Sequence, residues 1–271
     1  MPCPSFAFAV AIATVAGPQS SLPAHLAAWE KAMAETTTFH SAGFKLTRRN
    51  LLIKKDAVST GSLLTMKPQY VRLRLQSQAM PGKQPDPNNY SAYVVTHDVI
   101  WEYDGIAKTV REYWWDWDGP VGPPAPNAEP PKGTGWTWVE CLFQQMKNHI
   151  AYLLVSGRFK PGEVTTRFHI KLLKEDRHYI YLELHPRQAK DRSSFDRIVV
   201  VLTRPGPQRA AYAPREICLY NERTAETEDW SFEQFEVNAD SFTRADFEFV
   251  PPPEDWKIEK VTRAGVVNKN R

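Results

Sequence analysis

The chain has 271 residues and an apolar fraction of 42%, enough for a sizeable core in one large domain or two small ones. Its charged fraction of 24% and net charge of +3 are ordinary for a globular protein, so no global field draws it onto nucleic acid. The balance is uneven, with Lys45, Arg48, Arg49, Lys54 and Lys55 clustered early while residues 216–259 hold more Asp and Glu than Lys and Arg. That early cluster is either a solvated strand face or a patch for anionic lipid head groups or an acidic partner, where each basic residue contributes about 1 kcal/mol.

The first residues, MPCPSFAFAVAIATVAGPQSS, carry an uncharged apolar run from Phe6 to Gly17. Its length fits the core of a secretory signal and falls short of the ~20 residues of a membrane span. A signal over residues 1–21 places the remainder outside the cytoplasm, in the periplasm or cell envelope. A buried or frayed N-terminal segment is the other reading, because no Lys or Arg precedes the run. No second long apolar stretch follows, so no integral membrane span is expected. Cleavage removes Cys3 and leaves Cys141 and Cys218, which either pair or stay free.

Residues 23–38, PAHLAAWEKAMAETTT, set Leu26, Trp29 and Met33 near helical spacing behind Pro23 and predict one amphipathic helix, a lid or packing helix. From Phe39 the period becomes two. Phe44 and Leu46 alternate with Lys45 and Thr47, and the pattern continues through Leu51 and Ile53. GSLLTMKPQYVRLRLQ predicts two strands hinged at Lys67 and Pro68, with Val71 and Leu73 facing opposite to Arg72 and Arg74. YSAYVVTHDVIWEYDGIAKTVREY reads as three short strands, with Asp104 and Gly105 turning the hairpin between the second and third.

Residues 114–135 are too rich in Pro and Gly for regular structure. Trp114, Trp115 and Trp117 in this loop either form an exposed platform for a sugar or protein partner or fold over the domain and become buried. Residues 136–154 set Phe143, Met146 and Ile150 at helical spacing and predict a second helix, or two short ones. The rest reads as consecutive antiparallel strands. In DWSFEQFEVN the apolar set moves from Trp230 and Phe232 to Phe235 and Val237, a change of parity that requires a bulge or twist. FEFVPPPEDWKIEKV reads as a short strand, a proline break and a final edge strand.

No histidine pair has zinc-ligand spacing, and no G-x-S-x-G elbow, phosphate-binding glycine loop or C-x-x-C occurs, so neither metal nor cofactor is expected and no catalytic residue is assigned. The histidines read as surface residues. Glu102 and Asp104 share a strand face, but they border a hairpin turn and not a cleft.

The N-terminal helix, GSLLTMKPQYVRLRL, the VIWEYD strand and the closing FEQFEVNADSFTRADFEFVPPPEDWKIEK, in this order, resemble the LolA-type lipoprotein carriers. YIYLELHPR and SSFDRIVVVL are more similar still to an uncharacterised LolA-like family found mainly in planctomycetes. The resemblance spans about residues 23–262. It implies an α+β fold, mainly antiparallel β, in which residues 22–271 form a single domain: a strongly curved half-barrel of about ten or eleven strands, its concave face covered by helices. It also implies an apolar cavity for acyl chains.

On the sheet, the lining candidates are Phe44, Leu46, Leu64, Met66, Val71, Leu73, Tyr93, Val95, Trp101, Ile170, Leu172, Ile180 and Leu182. Trp29, Phe143, Met146 and Ile150 would close it from the helices. A filled core is the alternative for each. The Trp-rich loop has no counterpart in the carriers, and the arginine that latches the carrier lid matches no single residue here. The function expected is non-enzymatic binding of a lipid, a lipoprotein acyl chain or another long apolar ligand. The rival is a structural module of the envelope with a filled barrel and a protein or polysaccharide partner.

Overall fold

A computed structural model describes residues 21–262, apart from 69, 79–83, 85, 97–98, 115–161, 193–194 and 207–209, together with 265–268. Its first element is α1 (Leu22–Glu35), with Pro in the first turn and His25, Trp29 and Met33 as its buried stripe. The helix stops short of the expected residue 38 because Thr36 turns to extended backbone, and the β-branched Thr38 already opens the first strand. Two short helices, α2 (Glu163–Arg167) and α3 (Ala189–Arg192), flank strands later in the chain.

The strands are β1 (Thr38–Asn50), β2 (Lys55–Met66), β3 (Tyr70–Ser77), β4 (Tyr90–Val95), β5 (Val99–Asp104) and β6 (Thr109–Trp114). After the long connection come β7 (Phe168–Glu175), β8 (Tyr179–Pro186), β9 (Arg197–Thr203), β10 (Pro214–Asn221) and β11 (Glu226–Val237), then β12 (Lys257–Thr262) and β13 (Gly265–Asn268). All thirteen lie in one open, curved sheet ordered β13-β12-β6-β5-β4-β3-β2-β1-β11-β10-β9-β8-β7. The two meanders, β1–β6 and β7–β11, join where β1 pairs with β11. Among the described residues every pairing is antiparallel except that of β12 with β6.

The predicted hairpins at Asp104–Gly105 and at Lys67–Pro68 are present. A Cβ on Gly105 would lie 2.2 Å from the Asn88 carbonyl oxygen, and one on Gly61 would lie 1.7 Å from that of Arg74. Both positions exclude any side chain because a neighbouring strand or loop passes too close. The parity change expected in β11 occurs at Gln234, whose φ is +49°. Strand β1 changes parity beside it, since its register against β2 shifts between Ser41 and Phe44. Both strands therefore bend together, and Ser41 Oγ donates to the Glu233 carbonyl at 2.9 Å across the bend.

One face of the sheet carries a core that runs from Tyr113 on β6 to Phe168 on β7 and includes Trp29 and Met33 of α1. Ile180, Leu182, Leu184, Ile198, Val200, Leu202, Ile217 and Phe232 are completely buried in it. The other face holds a smaller cluster of Leu64, Val94, Tyr103, Val110 and Phe247, with Met66, Trp101, Phe249 and Trp256 packed against it. The chain after β11 covers this second cluster as a strap. Arg244–Phe247 forms a 3-10 turn with a Thr243–Asp246 capping box, and Arg72 donates to the Asp246 carbonyl at 2.9 Å. Tyr103 Oη donates to the Val250 carbonyl at 3.0 Å.

The described strands number thirteen, more than the ten or eleven expected, because the chain after β11 adds β12 and β13 to the sheet, and three further expectations change. FEF is not a strand, because Phe247 and Phe249 serve as anchors of the strap. The segment KIEKV is not an edge, because β13 pairs outside it. Leu51, Leu52 and Ile53 do not continue β1: they form the turn of the β1–β2 hairpin, where Asn50 Oδ1 accepts from Leu52 N at 3.1 Å and Ile53 N at 3.2 Å and reverses the chain. The predicted helix at 136–154 lies outside the described residues, as do residues 1–20, Cys141, Trp115 and Trp117. Trp114 ends β6 opposite Val99. Cys218 is a free thiol that donates to Asp229 Oδ1, and burial with that carboxylate pushes its pKa up to about 12.

Candidate ligand cavity

Helix α1 is fastened at both ends. At its C-terminus the last carbonyls lack intrahelical partners and need donors. Lys67, in the β2–β3 turn, donates from Nζ to the carbonyls of Met33 at 2.9 Å and Ala34 at 3.0 Å. Asn238, at the end of β11 with φ +55°, donates to the Glu35 carbonyl at 3.0 Å and accepts from Thr37 N at 2.6 Å. Burial holds the Lys67 ammonium below its ordinary pKa.

Toward its N-terminus, His25 is only 2% exposed, in contrast to the surface position expected for it. Its Nδ1 lies 3.2 Å from Tyr212 Oη and its Nε2 lies 3.2 Å from Glu175 Oε2. Arg204 completes the cluster at 2.9 Å from Glu175 Oε1. Burial, then the Glu175 charge, raises the Tyr212 pKa. Midway along the helix, Trp29 is completely buried and its indole N–H has no hydrogen-bond partner among the described residues.

Between the C-terminal half of α1 and the sheet lies a cavity of about 330 Å³. Ala32, Met33 and Thr36 of the helix end form one wall, Phe39 and Val237 belong to the floor, and residues 210–214 form the other wall. Phe39 is fixed by stacking on Phe235 at 5.8 Å and by an edge contact with Phe232 at 5.5 Å. Alanines at 32, 210, 211 and 213 leave the space open. Glu35 and Asn238 give it a polar rim. The cavity is at the lower end of the ~300–1,000 Å³ usual for small-molecule sites.

None of the described candidate lining residues lines this cavity. Trp29, Phe44, Leu46, Val71, Leu73, Tyr93, Val95, Ile180 and Leu182 belong to the large core, with Ile170 and Leu172 packed against it. Leu64, Met66 and Trp101 sit in the cluster on the opposite face, because strand alternation places them one residue out of phase with Leu63, Leu73 and Ile100. Phe143, Met146 and Ile150 fall outside the described residues. The cavity residues carry little signal in the sequence, since alanines and a loop tyrosine lie far from α1 along the chain.

One rung of the sheet carries charge inside the core. Leu63, Leu73, Tyr93, Glu102, Arg111 and Glu259 are successive cross-strand partners. Glu102 is 5% exposed and accepts from Tyr113 Oη at 2.9 Å, Tyr93 Oη at 3.4 Å and Arg111 at 3.4 Å. Desolvation, then the Glu102 charge and its hydrogen bonds, pushes both tyrosine pKa values well above the ordinary range. Asp104 caps its hairpin turn by accepting from Ala107 N at 2.9 Å. Both carboxylates are thus committed to internal contacts. Among the described residues no group of three or more His, Cys, Asp or Glu could hold a metal ion, and no helix is long and apolar enough to cross a membrane.

No protein-family model matches the sequence, and no curated protein matches it. Solved structures are similar in coarse layout. A conserved protein from Thermus thermophilus aligns over 87% of this chain and 96% of its own, at 11% identity and a TM-score of 0.42. LprF from Mycobacterium bovis aligns over 86% and 95%, at 11% identity and a TM-score of 0.37. An outer membrane lipoprotein-sorting protein domain from Vibrio parahaemolyticus aligns over 82% and 94%, at 11% identity and a TM-score of 0.34.

Proposed function

We propose that the protein is an exported, non-enzymatic binding protein that takes one apolar chain, from a lipid or a lipoprotein acyl group, between α1 and the sheet. The cavity bounded by Met33, Phe39, Tyr212 and Val237 carries this reading. Its lining combines the apolar Met33, Phe39 and Val237 with the exposed Glu35 and Asn238, which suits an amphiphile with its head toward the latter pair. Burying about ten methylenes at ~0.8 kcal/mol each gives roughly 8 kcal/mol gross. An association cost of about 4 kcal/mol or more offsets much of it, so binding is reversible, as a carrier needs.

Native mass spectrometry of the delipidated protein with added palmitate tests this. A one-to-one adduct that is lost in Ala32→Trp, which fills the cavity, supports it. No adduct, or an adduct indifferent to that substitution, overturns it. The second reading, an envelope module with a filled interior, is favoured by the completely buried Trp29, Phe232 and Leu182 in the main core.

A further inference from the structure

The β1–β2 hairpin ends in three consecutive aliphatic residues that face water: Leu51, Leu52 and Ile53 are 57%, 75% and 67% exposed. The other large exposed aliphatics, such as Ile106 and Leu173, are isolated in sequence and need no explanation. An aliphatic triplet at a hairpin tip does, because it sits there at a standing solvation cost. We propose that this tip is a membrane-contact site, inserting Leu51, Leu52 and Ile53 into the headgroup boundary of an anionic bilayer while Lys54 and Lys55 meet the lipid phosphates.

Three features favour a bilayer as the occupant. The first is charge. Arg48 is paired with Glu228, and Arg49 with Asp229 and Asp56, whereas Lys54 and Lys55 make no ion pair among the described residues. Two free ammonium groups follow the aliphatic triplet directly, on stems long enough to reach phosphate while the tip is inserted. The second is backbone satisfaction. The amides of Leu52 and Ile53 already donate to Asn50 Oδ1, and that of Leu51 donates to the Ala225 carbonyl at 2.7 Å. These N–H groups need not be stripped of water on entering an apolar layer. The third is bracing, because the Leu51–Ala225 bond ties the tip to the neighbouring β10–β11 turn, so little order remains to be imposed on contact.

The test uses the full chain and sedimentable vesicles, one set of phosphatidylcholine and one of equimolar phosphatidylcholine and phosphatidylglycerol. The protein is expected to partition onto the anionic vesicles about tenfold more strongly than onto the neutral ones, with added salt removing the difference. The double variant Leu52→Ser, Ile53→Ser should lose about tenfold or more in partition on both. Lys54→Glu with Lys55→Glu should bring anionic binding down to the neutral level. These side chains are exposed, so unchanged melting temperatures should accompany both losses. Absence of vesicle binding, or wild-type binding by the Leu52/Ile53 variant, overturns the proposal. So does a dimer in sedimentation velocity that the same variant dissolves, since the tip would then cover a second copy of the chain. Ala32→Trp separates this site from the cavity: it should leave vesicle binding intact, and loss of binding there would move the lipid contact to the cavity and sink the hairpin assignment.

Discussion

Lys67 Nζ lies 2.9 Å from the carbonyl oxygen of Met33, so the turn between β2 and β3 closes the end of the helix that walls the cavity. A cation at a helix C-terminus supplies donors and opposes the macrodipole together. Lys67→Met keeps most of the aliphatic stem and removes both bonds. It should destabilise the protein by about 1–2 kcal/mol. Hydrogen exchange at Ala34 and Glu35 should speed up before global unfolding, and palmitate should bind more weakly. Unchanged exchange in that turn would show that Asn238 alone holds the helix end.

Tyr113, held beside Glu102, contributes to the alkaline limb of stability. The Tyr113 pKa in the folded chain is raised above its ordinary value of 10.0 by burial first and the Glu102 carboxylate second. A raised folded pKa gives stability that is complete below pH 10 and is lost as pH climbs toward the folded value, because the unfolded phenol ionises first. Tyr113→Phe should cost about 2 kcal/mol at pH 7 through the lost hydrogen bond to a charged acceptor. It should also flatten the decline above pH 10, measured by urea unfolding across pH. An identical alkaline slope in the variant would contradict this role.

Arg167 and Asp191 form a bidentate pair, with both bonds at 2.6 Å, and they are 8% and 5% exposed. It links α2 to α3 at the end of the β7–β8 hairpin. Removing one partner leaves the other charge buried, so Asp191→Ala should cost about 3–5 kcal/mol, read from chemical denaturation. Replacing both with apolar residues should recover much of the loss, a contrast that a purely steric role would not produce.

Much of the sheet was readable because its rules are local. Val71 and Leu73 against Arg72 and Arg74, the Asp104–Gly105 turn and the parity change at Gln234 each follow from neighbours in the chain. Leu51–Ile53 misled because apolar alternation does not distinguish a strand from a turn whose side chains meet no core. Phe247 misled likewise, since an aromatic pair flanking one residue fits a strand as well as a strap. The cavity was unreadable for a different reason. Its walls come from Ala32 and Met33 of α1 and from residues 210–214, and no periodicity encodes such a separation; the contact of His25 with Tyr212 across 187 positions is hidden likewise. The buried Glu102 was equally hidden, because its acceptance by the core depends on Tyr93, Tyr113 and Arg111 arriving from adjacent strands.

The pairing of β1 with β11 reaches from Asn50↔Glu226 to Phe39↔Val237. The first meander can assemble from neighbours as soon as it is made, but the flank of β1 stays bare until β11 has emerged. Closing so wide a loop is slow relative to local hairpin formation, and an uncovered flank invites pairing with other molecules meanwhile. Arg48 and Arg49 stand along that flank: Arg48 meets Glu228 only when β11 docks, and Arg49, already beside Asp56 of β2, gains Asp229 at the same step. Until then their like charges oppose the approach of a second nascent copy.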